Sequence, residues 1–316
     1  MFEYLITRPL GWIIEQIYNL VANYGLSIII FTIIVKLILL PLNIKSQKSM
    51  RKQQKIQPVL AQLQEKYKND QEKLQREMMK LYKENNISMT GGCLPTLIQM
   101  PILIGLYQVI QKPLSYLCGV DWMSQAVIDK VYMLRDAMAP YIGKLAQYTE
   151  EQLANMSQIQ LSTWAQKING PTDPWVLNFN FLGLDLSNTP SVVTDYIMRL
   201  DFSNPGIYAM LLIPILAVVT SMLSMKITQI QSGQNPNQQQ GQAAQMSKSM
   251  MYLMPITTAI FTFTLPSGIG LYWIISSVMQ IIQQLVLNYI LKKSESEFEI
   301  KIPERKQLHG KKSKKR

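Results

Sequence analysis

The sequence predicts an all-α polytopic membrane protein with five spanning helices. Of its 316 residues 48% are hydrophobic, yet the formal net charge is +11, because long apolar runs alternate with very polar stretches. A soluble domain would instead spread its apolar residues at periods of two or 3.6. Several runs here approach the roughly 20 apolar residues that a helix needs to cross a bilayer. These observations exclude an ordinary soluble protein.

The predicted elements follow one another in a simple order. The five spans are residues 23–42, 94–111, 206–226, 249–265 and 268–291. Around them we predict an interfacial amphipathic helix at 1–22, a cytoplasmic helical hairpin at 43–90, an extracytoplasmic loop with a helical insert at 119–205, a cytoplasmic Gln-rich loop at 227–248 and a basic cytoplasmic tail at 292–316.

The segment before the first span has the pattern of a helix that lies at the membrane surface. Its apolar residues recur at helical spacing and its polar residues lie opposite: Leu10, Ile13, Ile14, Ile17 and Leu20 or Val21 on one face, Glu15, Gln16 and Asn19 on the other. The start, MFEYLITRPLGW, lacks the basic region and cleavage site of a signal peptide. We therefore expect the first span to direct its own insertion.

The distribution of Lys and Arg predicts the orientation. Residues 44–90 contain eleven Lys and Arg against five Asp and Glu, and the tail from Lys292 contains ten against four. Residues 119–205 contain only five Lys and Arg. Since cytoplasmic loops carry the excess of Lys and Arg, we expect the N-terminus outside and the C-terminus in the cytoplasm.

The cytoplasmic segment after the first span is predicted to be an antiparallel helical hairpin. Each helix has a sparse apolar stripe: Ile56, Leu60, Leu63 and Tyr67 on the first, Leu74, Met78, Leu81 and Tyr82 on the second. Between them Asn69 is the predicted N-cap, with Glu72 three residues on. With so few apolar residues we expect a mostly solvated hairpin without a core of its own.

A single charged residue, Lys36, lies in the apolar run IIFTIIVKLILLPLN of the first span. A charge at the centre of a bilayer costs about 2.5–3.5 kcal/mol on insertion scales. One interpretation is snorkelling, since Leu42 is only about 9 Å of helix further on. The other is functional, because Gly25, Thr32, Lys36 and Asn43 share one helix face and indicate a wetted stripe.

Matching polar stripes occur on the other four spans. They are Gln99 and Gln108 on the second, Thr220, Ser221 and Ser224 on the third, Thr257, Thr258, Thr262 and Thr264 on the fourth, and Trp273, Ser276 or Ser277, Gln280 and Gln283 or Gln284 on the fifth. Any one of them could simply join packed helices. Together with one cation, and with no Asp or Glu in any span, they favour a shared water-filled cavity.

The residues give little support for catalysis. The only His, His309, lies in the basic tail, and no span contains paired carboxylates or the spacing of metal ligands. A Ser/Lys dyad of Lys36 with a membrane serine such as Ser267, in PSGIG, is an alternative, but serines are common in membrane helices. We predict a protein that is not an enzyme and needs no cofactor.

Four stretches resemble the YidC/Oxa/Alb family of membrane protein insertases, in its bacterial form without the large extracytoplasmic domain. They are PLGWIIEQIYNLVANYGLSIIIFTIIVKLILLPL, GGCLPTLIQMPILIGLY, FLGLDLS, and MMYLMPI followed by LPSGIGLYWIISSVMQIIQQ. They occur in the family's order, with glycines and prolines in the family's positions. The insert at 120–176 lies outside the resemblance.

The resemblance implies a five-helix core with a hydrophilic groove that opens to the cytoplasm and lipid and is closed outside. Lys36 stands where the family usually has Arg, which keeps the charge but loses the planar fork of donors. Thr32 and Trp273 are implied as further groove positions. With the stripe residues, the predicted groove set is Lys36, Thr32, Gln99, Trp273, Ser276 and Gln280.

The implied function is insertion and folding of nascent membrane proteins in the bacterial cell membrane, alone or with the Sec translocon. We expect the chain to act as a monomer in contact with membrane lipid. The tail HGKKSKKR resembles ribosome-contacting tails, and a binding role for anionic lipid is its alternative. Its candidate residues are Lys311, Lys312, Lys314, Lys315 and Arg316.

A different class of function also fits the residues. A small-solute transporter or anion channel could use Lys36 as its selectivity charge. Such a protein would move solute in liposomes, a Ser/Lys protease would leave cleaved substrates, and an insertase would leave single-span proteins uninserted when depleted.

Overall fold

The computed structural model of the chain is mostly helical. It describes residues 1–87, 94–120, 124–142, 157–200, 203, 205–231, 253 and 255–292. The chain forms two compact units. The first contains Met1–Leu40, Thr96–Ser224 and Tyr252–Ile281; the second contains Pro41–Pro95, Met225–Met251 and Ile282–Arg316. The basic tail from residue 293 and the Gln-rich loop from residue 232 lie outside the described residues.

The helices follow the predicted order along the chain. They are α1 (Arg8–Val21), α2 (Tyr24–Ile38), α3 (Leu40–Lys66), α4 (Gln71–Glu84), α5 (Leu94–Gln111), α6 (Pro113–Leu117), α7 (Gln125–Ile142), α8 (Gln158–Asn169), α9 (Val192–Met198), α10 (Pro205–Ala209), α11 (Leu212–Gln231), α12 (Pro255–Thr264) and α13 (Ser267–Lys292). A π-helical turn, Glu3–Thr7, precedes α1. Strands β1 (Asn180–Phe181) and β2 (Leu184–Asp185) form an antiparallel hairpin.

Two helices among the described residues are long and apolar enough to cross a membrane, Pro205–Ile230 and Ser267–Ile290. A third span results if Tyr24–Ile38 and Leu40–Lys66 are counted as one broken span. Leu97–Gln111 and Pro255–Thr264 are shorter apolar helices. Each predicted span therefore contains an apolar helix, while the number that cross the membrane stays a prediction.

The first unit places polar side chains inside and apolar side chains outside. Its buried polar residues include Ser27, Thr32, Lys36, Thr258, Thr262, Ser267 and Ser277. Its exposed apolar residues include Leu37, Ile38, Leu97, Met100, Ile104, Leu212, Ile215, Leu216 and Val219. Apolar exteriors of this extent are avoided in water but are favoured in lipid. The distribution supports a membrane protein.

Helix α1 packs closely on the first unit through its apolar face. Ile14 and Ile17 are buried in the same core as α2. At Gly11 a Cβ atom would lie 2.7 Å from the Tyr116 ring, so only glycine allows this approach. Leu20, in the last turn, is instead exposed.

The segment after α6 is an ordered part of the first unit. Helix α7 packs on α8, and α8 packs on α6. There the Gln158 side chain accepts from the Ser115 amide at 2.9 Å and donates to the Ser115 hydroxyl at 2.7 Å. Leu134, Leu161 and Trp164 are buried in the core that also contains α2 residues. The insert that lies outside the family resemblance thus helps to build this core.

Asp173 ties the loop after α8 to α7. Its carboxylate accepts from Lys130 Nζ at 2.7 Å, from Asn169 Nδ2 at 2.6 Å and from the Trp175 amide at 2.8 Å. The Lys130 ammonium also lies 4.5 Å from the centroid of the Trp175 ring. Burial alone would raise the pKa of Asp173, but these hydrogen bonds outweigh it and hold the pKa below its usual value.

We expect Asp173→Asn to lower the free energy of unfolding at neutral pH by about 1–3 kcal/mol, because Lys130 keeps its charge and loses its partner. Since the folded pKa is depressed, the carboxylate's contribution is complete above the unfolded pKa of about 3.9 and is lost as the pH falls through the folded value. In thermal unfolding in detergent, the gap between wild type and variant should narrow below that pH. The exposed Asp136→Asn should cost less than about 1 kcal/mol; an equal loss there would contradict the assignment.

The second unit contains the helical hairpin of α3 and α4. The Asp70 carboxylate accepts from the Lys73 amide at 3.0 Å, and α4 begins at Gln71. The predicted N-cap, Asn69, was wrong by one residue. Asn and Asp cap helices about equally well, but the Asp70 carboxylate also interacts favourably with the positive end of the helix dipole.

The hairpin has a small apolar core. Ile56, Leu60, Leu81 and Ile87 are buried together, and Val59, Leu63, Met78 and Tyr82 pack around them. The expectation that the hairpin has no core of its own was therefore wrong. The sparse stripes of the two helices meet each other, and Ile87, just after α4, adds a residue that the helical periodicity did not include.

Candidate functional site

The candidate site is a line of hydrogen-bonded polar side chains inside the first unit. Lys36, on α2, is 7% exposed, and its Nζ donates to Gln99 Oε1 on α5 at 3.4 Å. Gln99 Nε2 donates to the hydroxyl of Tyr272 on α13. The Ser276 side chain, one turn further along α13, is hydrogen-bonded to the same hydroxyl. We call Lys36, Gln99, Tyr272 and Ser276 the polar line.

The chemistry of these groups determines which atoms face each other. An ammonium group only donates hydrogen bonds, so Gln99 presents its oxygen to Lys36 and its NH2 group to Tyr272. The amide is thus oriented by both neighbours. The polar line aligns the dipole of Gln99 with its negative end towards the cation.

Close packing of helices places the polar line. Tyr24, at the start of α2, is buried, and its hydroxyl donates to the Ile110 carbonyl near the end of α5 at 3.4 Å. Because Lys36 near the end of α2 meets Gln99 near the start of α5, the two helices run antiparallel. At Gly268, in α13, a Cβ atom would lie 3.1 Å from the Tyr24 ring, so this helix also approaches α2 closely.

The other predicted groove residues have different environments. Thr32 is buried, and its hydroxyl donates to the Ile28 carbonyl of its own helix at 2.6 Å. Trp273 is half-buried, with its ring centroid 6.5 Å from that of Phe261. Gln280 is exposed. The hydrogen bond of Thr32 therefore supports its helix rather than the polar line.

The structure brings together Lys36, Gln99 and Ser276 from the predicted set and adds Tyr272, which the sequence argument missed. Tyr272 lies four residues before Ser276, so helical spacing alone places both on one face. The stripe had been started at Trp273, which fits the same spacing through a step of three. The five basic tail residues of the prediction lie outside the described residues.

The second unit has polar contacts of its own at the base of the hairpin. Asn43 Nδ2, near the start of α3, donates to Gln283 Oε1 on α13 at 3.1 Å. Arg51 donates to the carbonyl of Asn288 at 3.0 Å and also to its side-chain oxygen. These bonds attach the first turns of α3 to the last part of α13.

The polar line can attract a negative group, whereas the serine of the dyad alternative is engaged elsewhere. Ser267 is buried, and its hydroxyl donates to the Asn188 carbonyl at 2.7 Å. A nucleophilic serine would instead donate to a base. The bond that Ser267 makes therefore favours a structural role at the start of α13.

Comparisons with known proteins point to one family. The profile of the family described as 60Kd inner membrane protein matches residues 16–295. Membrane protein insertase YidC of Leptospira interrogans is 30% identical over 306 residues, which cover 95% of this chain and 37% of that protein. Membrane protein insertase YidC 2 of Listeria innocua is 30% identical over 295 residues, which cover 91% and 72%.

A further relative matches a shorter region at higher identity. Membrane protein insertase YidC of Clostridium perfringens is 55% identical over 108 residues, which cover 34% of this chain and 45% of that protein. The chain spans 37% of the length of the Leptospira relative and 72% of the Listeria relative. The family assignment therefore rests on matches that extend over nearly the whole of this chain.

Proposed function

Because the chain belongs to the 60Kd inner membrane protein family, we propose that it is a membrane protein insertase, which inserts nascent membrane proteins and helps them to fold. The observation that carries the proposal is the polar line. It places one cation, Lys36, among helices whose exposed side chains are largely apolar. The names of the relatives favour insertion over a small-solute transporter or an anion channel.

We infer that five helices cross the bacterial cell membrane, with the N-terminus outside and the C-terminus in the cytoplasm. The excess of Lys and Arg in residues 44–90 and in the tail supports this orientation. The domain order is the one predicted from the sequence. In this arrangement the polar line belongs to a hydrophilic groove that opens to the cytoplasm and to lipid.

The position of Lys36 along its helix supports a role in shortening the barrier. Twelve residues separate it from Tyr24, or about 18 Å of helix at 1.5 Å per residue. The hydrocarbon core is about 30 Å thick. If Tyr24 lies at the outer boundary, the ammonium group lies past the middle of the membrane, on the cytoplasmic side. A polar tail that reaches it from the cytoplasm crosses less than half of the hydrocarbon first.

Electrostatic attraction is the proposed contribution of Lys36. A substrate that carries a short acidic tail enters the groove from the cytoplasm, and the cation attracts its negative charge. At equal distance this attraction is several times stronger in a partly buried site than in bulk water. The apolar segment of the substrate then moves sideways into lipid, where burial of its apolar residues drives the step. No covalent chemistry is required.

The proposed partners are those implied by the resemblance. Nascent membrane proteins are the substrates, the Sec translocon cooperates on some of them, and the basic tail contacts the ribosome through Lys311, Lys312, Lys314, Lys315 and Arg316. We propose that the monomer is the functional unit. Electrostatic contacts to ribosomal RNA would weaken steeply with salt.

The test is complementation of a bacterium depleted of its own insertase. Cells that express this chain should insert a single-span reporter with a short acidic outer tail, measured by protease accessibility of the tail. Purified protein in liposomes should insert the same reporter and should not increase the flux of small anions. Anion flux without reporter insertion would replace the insertase by the channel alternative.

Tyr272→Phe should lower insertion of the acidic-tailed reporter about two- to fivefold, since one hydrogen bond contributes about 0.5–1.5 kcal/mol. Without the hydroxyl, Gln99 loses the acceptor that orients its amide towards Lys36. The ratio between acidic-tailed and neutral-tailed reporters is the decisive measurement, because a purely structural defect would lower both.

The control is Tyr289→Phe, also on α13, where the side chain is exposed. It should leave both reporters unchanged. If Tyr272→Phe lowered the two reporters equally, the hydroxyl would have a structural role only.

A further inference from the structure

An exposed leucine occupies the tip of the β1–β2 hairpin. The two tip residues, Leu182 and Gly183, have φ angles of +52° and +80°. Two-residue turns with both φ angles positive favour Asn-Gly or Asp-Gly, because a larger side chain is strained there. Leu182 is nevertheless present and 87% exposed. Neither the turn nor contact with water favours this residue.

The hairpin is fixed to the first turn of α2. Asn23 Nδ2 donates to the Asn180 carbonyl at 2.8 Å, and the Tyr24 amide donates to the Asn178 carbonyl at 2.9 Å. At Gly25 a Cβ atom would lie 2.6 Å from the Phe181 ring, so the hairpin packs directly on the helix backbone. The tip is therefore held at the membrane boundary where the first span begins.

A second exposed leucine lies at the same end of this span. Leu20, in the last turn of α1, is 85% exposed. The end of α1 is joined to the hairpin through Asn178, whose amide donates to the Tyr18 hydroxyl at 2.9 Å and whose side chain donates to the Ala22 carbonyl at 3.4 Å. Two separate elements thus present a leucine at one height.

We propose that Leu182 and Leu20 insert into the acyl-chain region of the leaflet that surrounds the start of α2, and that they anchor this end of the span to lipid. The occupant is lipid because the leucines adjoin a helix whose exposed side chains, including Leu37 and Ile38, are apolar. Burial in the interface removes the cost of exposing them to water. The anchor holds α2, and with it Lys36, at a constant depth.

The test uses an environment-sensitive NBD label on single cysteines introduced by Leu182→Cys and, separately, Leu20→Cys, in a Cys93→Ser background. Cys118 can remain, because burial raises its pKa to about 11 and keeps the thiol protonated during labelling. The matched control is Gln166→Cys on α8, where the side chain is exposed. The full chain is reconstituted into vesicles of phosphatidylethanolamine and phosphatidylglycerol, with or without nitroxide-labelled acyl chains.

Labels at 182 and 20 should be quenched by the acyl-chain nitroxide at least about threefold more than the label at 166, and should be shielded from iodide in the water phase. Quenching by iodide equal to that at 166 would overturn the proposal. Protection from both quenchers would show that protein covers the leucines and would also overturn it. The measurement is independent of insertion activity and of the orientation of the chain.

Discussion

Replacing Lys36 by Glu is expected to reduce insertion of an acidic-tailed reporter at least about tenfold, which corresponds to about 1.4 kcal/mol. The substitution turns attraction of the tail into repulsion. Two unit charges about 4 Å apart interact by about 4 kcal/mol at an effective dielectric constant of 20, so a tenfold effect requires only part of this energy. Insertion assays in depleted cells measure the change.

The series at this position separates charge from shape. Lys36→Arg should retain insertion, because it keeps the cation, and Lys36→Ala should fall between the wild type and Lys36→Glu. A neutral-tailed reporter should be nearly unaffected by all three. Full insertion of the acidic tail by Lys36→Glu would remove the electrostatic part of the mechanism.

Folding of the Glu variant is favoured by the chemistry of its neighbours. The Gln99 amide can rotate so that its NH2 group donates to the new carboxylate, and the Tyr272 hydroxyl can then donate to the amide oxygen. The matched control for the change in net charge is Lys112→Glu, since Lys112 is exposed in the connection between α5 and α6. It should insert both reporters at the wild-type rate.

The sequence alone predicts the apolar helices, since apolar length and charge asymmetry are properties of single segments. It also places Lys36, Gln99 and Ser276 on polar stripes, because the period of an α-helix is known. Their meeting is a property of three helices. It depends on the rotation of each helix about its axis, which the stripe of one helix does not determine.

Tyr272 and Thr32 show where the sequence argument ends. Tyr272 was missed because its neighbour Trp273 fits the same stripe, and only the packing of α13 at Gly268 decides between them. Thr32 was predicted to line the groove, but a threonine hydroxyl can bond to the carbonyl four residues earlier, as it does to Ile28. Local spacing does not distinguish these two uses of a hydroxyl.

Gly270→Ala is expected to destabilise the first unit although alanine is the better helix former. At Gly270, in α13, a Cβ atom would lie 2.4 Å from Ile213 Cγ2 on α11. This methyl is attached directly to a stiff, β-branched carbon and cannot move away by rotation of a side-chain end. Overpacking costs about 1–3 kcal/mol, against a gain of about 1 kcal/mol in helix propensity. The midpoint of thermal unfolding in detergent should therefore fall.

A second substitution tests whether this one contact is the cause. Ile213→Leu removes the methyl branch at Cβ with little change in volume and should cost less than about 1.5 kcal/mol by itself. In the double variant the clash is absent, so its stability should exceed that of Gly270→Ala alone. Gly268→Ala, two residues away, is the matched control. Its Cβ would lie 3.1 Å from Ile28 Cδ1, the movable end of a side chain, so we expect no loss. An equal loss at both glycines, without rescue by Ile213→Leu, would show that α13 tolerates no Cβ along this face and that Ile213 does not determine the spacing of α11 and α13.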